Sequence, residues 1–263
     1  MDLQLQGKQA LVSGSSKGIG YAIAKLLAAE GAEVWINGRT QKAVASACAR
    51  IRDAMPQAKV HELAADLSTA EGVAAAVAAL PAVDILVNNL GIYERKPFDD
   101  IADADWQRFF DVNVMSGVRL SRAYLSGMKA RDWGRIVFVS SESALHIPGD
   151  MVHYGFTKTA QLAVSRGIAE NCVGTGVTSN CVLPGPTLSD GLQNAIKQRA
   201  GEMTYEQFEA EFFKTARPTS LKRRFAQPEE VASLVAYVCS PLSSATNGAA
   251  LRCDGGIVRA AIG

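Results

Sequence analysis

The chain has 263 residues, 48% of them hydrophobic and 20% charged, a composition typical of one globular domain with a sizeable core. Its formal net charge of +1 argues against partners such as nucleic acid or an anionic membrane. Five cysteines without a C-x-x-C pair, and three histidines without ligand-like spacing, argue against a disulfide framework and a zinc site. We expect a soluble, cytoplasmic protein with no metal, no signal segment and no membrane span.

Short apolar runs alternate with helical patterns along the chain. Residues 10–12 form the first predicted strand, and apolar residues then repeat at helical spacing from 19 to 27. Further predicted strands, with helices between them, are residues 34–36, 60–64, 85–87, 136–139, 177–183 and 249–251. Strands that are apolar on both faces indicate a parallel sheet covered on both sides. The expected fold is α/β, a doubly wound, Rossmann-like parallel sheet of about seven strands in three layers, over residues 1–263.

A glycine-rich turn follows the first predicted strand and opens the first helix, with the sequence Ser13-Gly14-Ser15-Ser16-Lys17-Gly18-Ile19-Gly20. Glycines let the backbone approach a pyrophosphate, whose charge the helix N-terminus stabilises. Such turns also serve as plain strand–helix connections. The position of this one, between the first strand and the first helix, favours a dinucleotide site.

The end of the second predicted strand indicates which dinucleotide binds. NAD sites commonly carry a carboxylate there, about 20 residues beyond the glycine loop, for the ribose hydroxyls. Here Gly38 and Arg39 follow Asn37, so the strand ends without an acid. Arg39 offers a planar donor fork for a 2′-phosphate, and Lys17 adds a second positive charge. We predict NADP(H) as the cofactor; the alternative is that Arg39 only caps an exposed loop.

Tyr154 and Lys158 form a Y-x3-K pair, which places the two side chains on one face of a helix. A neighbouring ammonium group stabilises a phenolate, so Lys158 is expected to lower the pKa of Tyr154 and make it an acid/base. The pair alone is weak evidence, since Tyr21 and Lys25 repeat it in the first helix. We interpret that copy as structural.

The ordered set of motifs resembles the classical short-chain dehydrogenase/reductase family over residues 7–256. The glycine loop is similar to the family's T-G-x3-G-I-G, and Ser141 lies 13 positions before Tyr154, the spacing of the family's catalytic serine. Asn113 matches the asparagine that completes the family's tetrad. The other matching segments are Asp66-Leu67, which corresponds to the adenine-binding pair, Asn88-Asn89-Leu90-Gly91, Pro184-Gly185 and Asp254-Gly255-Gly256.

The resemblance implies a role for each matching residue. Tyr154 transfers the proton, and Lys158 also holds the nicotinamide ribose. Ser141 donates a hydrogen bond to the substrate oxygen, and Asn113 holds a water that links Lys158 to solvent. The implied cofactor contacts are Gly14, Ser16, Lys17, Gly18, Ile19, Gly20, Arg39, Asp66, Leu67, Asn89, Gly91, Tyr154, Lys158, Pro184, Gly185 and Thr187.

Structural alternatives exist for two members of the tetrad. Ser140 and Ser143 compete with Ser141 for the serine role, although their spacing to Tyr154 is 14 and 11 residues. Ser141 would otherwise be a polar strand end, and Asn113 a helix kink or cap.

Three functions are consistent with these motifs. The leading hypothesis is reduction of a small ketone, or oxidation of its alcohol. The second is a 3-oxoacyl-[acyl-carrier-protein] reductase, a reading weakened because Thr175 stands where many relatives have a basic residue. A non-catalytic NADP(H)-binding sensor is the third. Leu90, in place of the usual alanine, is expected to tighten the wall beside the cofactor.

The resemblance also implies a homotetramer. The helices that would join the subunits are those of residues 103–130 and the helix that follows Tyr154. The C-terminal residues 257–263 are apolar for a free tail, so we expect them to be buried against another subunit.

A substrate lid is predicted at residues 185–227, at the edge where open α/β sheets bind ligands. Thr204 and Gln207 form a candidate capping box for a short helix. Along that helix Tyr205, Phe208 and Phe212 form one stripe, with Phe213 beside it. The stripe either packs the lid onto the body or covers an apolar substrate. The second interpretation predicts ketones with alkyl or aromatic arms in preference to sugars.

Overall fold

The computed structural model describes residues 2–189, 192–193, 196 and 203–261. These residues contain seven parallel strands in the order β3-β2-β1-β4-β5-β6-β7. The strands are β1 (Gln9–Val12), β2 (Glu33–Gly38), β3 (Val60–Ala64), β4 (Ile85–Asn88), β5 (Gly134–Val139), β6 (Val177–Pro184) and β7 (Ala250–Cys253). The predicted fold class is confirmed, and each predicted strand lies within three residues of its observed bounds.

Helices cover both faces of the sheet. They are α1 (Gly18–Ala29), α2 (Gln41–Ala54), α3 (Ala70–Ala79), α4 (Asp103–Phe110), α5 (Ser116–Ala130), α6 (Val152–Glu170), α7 (Tyr205–Thr215) and α8 (Pro228–Cys239). Val12 and Leu11 show how one strand serves two cores: Val12 packs with α1, α2 and α8, whereas Leu11 packs with α3 and α5. Successive side chains of a strand point to opposite faces, so a strand buried on both sides reads as an unbroken apolar run.

The register brings the ends of the central strands together. Val12 at the end of β1 lies opposite Ile36 of β2 on one side and Val87 of β4 on the other. The chain runs outward from β1 to β2 and β3, then crosses back to β4, so the strand order reverses between β1 and β4. Open α/β sheets bind ligands beside such a reversal, at the carboxyl ends of the strands.

Local signals in the sequence place several helix ends. Thr40 and Thr69 cap α2 and α3, each accepting a hydrogen bond from a backbone N–H in the first turn. The predicted capping box at the start of α7 is confirmed, because Thr204 accepts from the Gln207 N–H and Gln207 Oε1 accepts from the Thr204 N–H. No helix in the described ranges is long and apolar enough to cross a membrane.

Candidate active site

The glycine loop between β1 and α1 depends on glycine at three positions. Gly14 and Gly18 have φ of +62° and +61°, in the left-handed region that side chains disfavour. At Gly20, a Cβ would collide with the Asn89 side chain and the Gly14 carbonyl oxygen. The loop therefore packs closely on the N-terminus of α1, the arrangement that suits a pyrophosphate.

Two asparagine side chains hold this loop in place. Asn37, at the end of β2, accepts from the Gly14 N–H at 3.0 Å and donates to two carbonyl groups at the end of β3. Asn89 donates to the carbonyl oxygens of Ser13 and Gly14, both at 3.0 Å. The predicted cofactor residue Asn89 thus directs its amide group at the loop, and Asn37, which sequence reasoning passed over, does the same from the other side.

Exposed cations lie around the loop. The side chains of Lys17 and Arg39 form no hydrogen bond or ion pair with the described residues, and both are exposed. Arg50, which the sequence did not single out, donates to the Ser16 carbonyl oxygen at 2.8 Å and lies 4.1 Å above the Tyr21 ring. Tyr21 therefore packs under an arginine, as its structural interpretation requires.

Asp66 and Leu67 follow β3 at the same edge of the sheet. Leu67 is buried in the core, whereas Asp66 is exposed. Asp66 Oδ1 accepts from the N–H and the hydroxyl of Ser68, at 3.1 and 2.6 Å. The carboxylate is fixed in orientation beside the surface on which an adenine is predicted to lie.

Asn113 lies in a short π-helical segment, Asp111–Met115, between α4 and α5. Such single turns of π-helix are frequent at functional sites. The Asn113 amide makes three hydrogen bonds, two with the backbone of Ile92 at 2.8 and 3.0 Å and one with Thr157 Oγ1 at 3.0 Å. The main-chain carbonyl oxygen of Asn113 accepts a hydrogen bond from Gln161 Nε2 at 2.6 Å.

Lys158 is joined to the same group through Gln161. Lys158 Nζ donates to the Val139 carbonyl oxygen at 3.0 Å and to Gln161 Oε1 at 3.4 Å. The Gln161 side chain thereby links Lys158 to the main-chain carbonyl of Asn113. The predicted water between Lys158 and solvent stays a prediction. A Cβ at Gly91 would lie 3.5 Å from both Lys158 Nζ and Asn113 Oδ1, so a side chain here would be in van der Waals contact with both groups and would fill the space beside them.

Burial is the main influence on the pKa values of Tyr154 and Lys158. Burial of the phenol, opposed by a hydrogen bond with Ser141, raises the pKa of Tyr154, and burial lowers the pKa of Lys158 to about 8. Lys158 Nζ lies 5.6 Å from the centre of the Tyr154 ring and donates to Val139 and Gln161. Desolvation therefore outweighs the influences that lower the pKa of this phenol, and the lowering by Lys158 stays a prediction.

Ser141, the last residue before a short 3-10 turn, lines a cavity together with Tyr154. Ser140 points elsewhere and donates to the Lys158 carbonyl oxygen at 2.9 Å. Ser143 borders the same cavity, and its N–H donates to Ser141 Oγ at 3.1 Å. Ser141 Oγ in turn donates to Glu142 Oε2 at 2.6 Å.

The cavity has a volume of about 710 Å³, the size of small-molecule sites. The predicted lid forms one wall of it. Phe208 and Phe212 both border the cavity and both pack against Phe225, at ring-centre distances of 6.4 and 4.9 Å. Tyr205 instead donates to Glu209, and its side chain does not border the cavity. The two interpretations of the stripe are thus not exclusive, because the same rings pack the lid and face the cavity.

The base of the lid is held at the end of β6. Gly185, which follows Pro184, packs so tightly on Asp254 that a Cβ would approach its backbone to 2.8 Å. Thr187 donates to the Gly185 carbonyl oxygen at 2.9 Å and forms a parallel bridge with Ala226. These contacts tie the two ends of the segment together. Predicted lid residues 190–191, 194–195 and 197–202 lie outside the described residues.

Other groups at the cavity were missed by sequence reasoning. Tyr93 packs edge-on against Tyr154, with ring centres 6.5 Å apart. Glu142 and Arg217 form a buried ion pair in the cavity wall. No motif signals them, since Arg217 lies 75 positions from Glu142. Within the part of the chain that the structure describes, no three His, Cys, Asp or Glu side chains are grouped as a metal site requires.

Known proteins resemble this chain over nearly its whole length. A family model described as "Enoyl-(Acyl carrier protein) reductase" matches residues 14–258. The uncharacterized oxidoreductase YvaG of Bacillus subtilis (strain 168) is 50% identical over 98% of this chain and 99% of that protein. The chain belongs to the classical short-chain dehydrogenase/reductase family.

Two further relatives of this short-chain dehydrogenase/reductase show the range of its family. The 3-oxoacyl-[acyl-carrier-protein] reductase FabG of Aquifex aeolicus is 31% identical over 98% of this chain and the whole of that protein. The L-sorbose reductase of Gluconobacter frateurii, solved with NADPH and L-sorbose, superposes with a TM-score of 0.92 at 31% identity, over 99% of this chain and 100% of the other. The protein is therefore an oxidoreductase of the short-chain type.

Proposed function

We propose that this oxidoreductase uses NADPH to reduce the carbonyl group of a small substrate, or NADP⁺ to oxidise the corresponding secondary alcohol. The observation that supports this most directly is the shared position of Tyr154 and Ser141 on one cavity at the carboxyl edge of the sheet. That edge also carries the glycine loop. In this proposal Tyr154 would be the proton donor, Ser141 the hydrogen-bonding hydroxyl and the glycine loop the dinucleotide turn, which together are the groups that hydride transfer requires.

The residues at this edge fit a nicotinamide dinucleotide. The open space at Gly91, beside Lys158 and Asn113, suits a group that a side chain would exclude. Gly14, Gly18 and the N-terminus of α1 would hold the pyrophosphate. Lys17 and Arg39 are exposed near the loop and would bind the 2′-phosphate that distinguishes NADPH from NADH. The NADPH complex of L-sorbose reductase supports the same choice.

Each member of the tetrad has a role in this proposal. The nicotinamide supplies the hydride when it is bound. Tyr154 gives its proton to the substrate oxygen during reduction, and its raised pKa keeps the phenol protonated at neutral pH. Ser141 orients the substrate oxygen beside that phenol. Lys158, whose ammonium group is held by Gln161 beside Asn113, would bind the nicotinamide ribose. A water held by Asn113 would pass protons between Lys158 and solvent.

We infer that the preferred substrate carries an apolar arm. Phe208 and Phe212 border the cavity, and an alkyl or aromatic group placed against them would bury apolar surface and exclude water. The alternatives are a sugar-like ketone, as in L-sorbose reductase, and a carrier-bound 3-oxoacyl thioester, as in FabG.

A substrate panel tests these alternatives together. NADPH oxidation is followed with aryl and alkyl ketones, keto-sugars and a 3-oxoacyl thioester. We expect the highest kcat/KM with an aryl or alkyl ketone. A preference for keto-sugars or for the thioester would contradict the apolar assignment, and NADPH binding without turnover of any carbonyl would favour the sensor alternative.

A further inference from the structure

An ion pair is buried in the wall of the cavity. Arg217 Nε donates to Glu142 Oε1 at 2.9 Å, and the two side chains are only 7% and 4% exposed. Taking two charges out of water is costly, and a pair of apolar residues of similar size would often be as stable. Packing alone is therefore a weak explanation for this pair.

The positions of the two residues connect the lid to Ser141. Arg217 lies two residues beyond Thr215, the last residue of α7, and its guanidinium also donates to the Ala216 carbonyl oxygen at 2.9 Å. Glu142 is the residue after Ser141. One oxygen of the Glu142 carboxylate accepts a hydrogen bond from Arg217, and the other accepts a hydrogen bond from the Ser141 hydroxyl at 2.6 Å.

This arrangement holds the Ser141 oxygen in place. Its hydrogen points at Glu142, and its oxygen accepts the Ser143 N–H at 3.1 Å. Rotation about the Cβ–Oγ bond would turn that hydrogen from Glu142 to a substrate oxygen or to Tyr154. A hydrogen bond to a carboxylate is stronger and shorter than one between neutral groups. The orientation of Ser141 therefore depends on where Glu142 is held, and Glu142 is held by Arg217.

We propose that Glu142 and Arg217 are positioning residues: Arg217, at the end of the lid helix, holds Glu142, and Glu142 sets the Ser141 hydroxyl and the electrostatic balance around Tyr154. The proposal rests on the proposed function, because it assumes that Tyr154 exchanges the proton.

The charges that face Tyr154 make the proposal testable by pH. Glu142 and Tyr93 raise the pKa of Tyr154, whereas Arg217 and the hydrogen bond with Ser141 lower it. Lys158 lies 5.6 Å from the ring. The other charged groups that border the cavity are Glu94, paired with Arg108, Arg95, paired with Asp150, and Glu211.

Removing Glu142 should therefore lower the pKa of Tyr154, and removing Arg217 should raise it. Alcohol oxidation requires the phenolate, so its rate rises with pH, and that rise can be displaced along the pH axis. For Glu142→Gln we expect a displacement to lower pH, and for Arg217→Gln a displacement to higher pH. Each should be about 0.5 to 1 pH unit, or roughly three- to tenfold in rate at fixed pH, less than the 1–3 units of a directly contacting charge.

The experiment is the pH profile of kcat for oxidation of the alcohol formed from the best ketone. The variants are Glu142→Gln, Arg217→Gln and the pair combined, with Arg217→Lys as the control that keeps the charge. Melting temperature and NADPH affinity are measured on each. The pH profile of the combined variant is expected to lie closer to wild type than that of either single variant. The profile of Arg217→Lys is expected to stay near wild type.

Undisplaced profiles, or displacement of both single variants in the same direction, would overturn the proposal. Losses of kcat that only follow melting temperature would show that the pair anchors the lid and does nothing more. Wild-type protein that turns over no carbonyl or alcohol would instead contradict the proposed function.

Discussion

Burial shifts Tyr154 and Lys158 towards their neutral forms. It raises the pKa of the phenol and lowers the pKa of the ammonium to about 8. The sequence predicted that the two residues share a helix face, which follows from their spacing of four. It could not show which effect dominates, because desolvation depends on side chains from elements far apart in the chain.

The lowered pKa of Lys158 predicts a stability change with pH. The folded protein releases this proton near pH 8, whereas an unfolded lysine keeps it to about pH 10.4. Between these values the unfolded state binds more protons, so stability rises with pH. Relative to Lys158→Met, the wild-type free energy of unfolding should increase by about 2 kcal/mol from pH 7 to pH 10. Urea titrations at both pH values measure this, and an unchanged difference would contradict it.

Arg39 should control the choice of cofactor. We expect Arg39→Ala to weaken NADPH binding by about tenfold or more and to leave NADH nearly unaffected, since only NADPH carries the 2′-phosphate that a guanidinium binds. Fluorescence titration of both cofactors measures the two affinities. Lys59→Ala is the matched control, because Lys59 is an exposed cation at the opposite, amino end of β3. Equal weakening of both cofactors would contradict the assignment.

At the scale of elements, α7 is the segment that most directly shapes the substrate side of the cavity. Phe208→Ala and Phe212→Ala should each raise KM for aryl and alkyl ketones severalfold and leave NADPH affinity unchanged, because they remove apolar surface from the cavity wall. Steady-state kinetics on the panel measures this.

Phe213 provides the control on the same helix. It is 3% exposed, packs against Phe225, and does not border the cavity. Phe213→Leu should therefore lower the melting temperature without raising KM. If Phe208→Ala and Phe212→Ala behave in the same way as Phe213→Leu, the stripe serves only to pack the lid.

The lid also shows what the sequence could predict. The capping box of Thr204 and Gln207 was predicted because its partners are three residues apart, and the strands because buried parallel strands have a strong apolar signal. The π-helical segment at Asn113 and the pairing of Glu142 with Arg217 depend on tertiary contacts between distant segments, which no local pattern specifies.

At the scale of the whole molecule, assembly remains a prediction. The C-terminal segment offers less apolar surface to a partner than the sequence indicated, because Ile257 is buried in its own chain. Arg259, Ala260 and Ala261 are exposed, and residues 262–263 lie outside the described part. Exposed Phe156 on α6 and Phe98 ahead of α4 still present apolar surface on the helices expected to meet a partner. Sedimentation velocity at micromolar concentration should show a homotetramer, and a single monomeric species would contradict this.

The central claim is that Tyr154 supports hydride transfer from NADPH to a carbonyl. The most direct test uses NADPH deuterated at both C4 positions, with the best ketone of the panel, and mass spectrometry of the alcohol. Wild type and Tyr21→Phe should both place one deuterium on the carbinol carbon at similar rates, whereas Tyr154→Phe should be slower by about 100-fold or more while still binding NADPH. Equal losses in Tyr21→Phe and Tyr154→Phe, or no deuterium in the wild-type product, would contradict the claim.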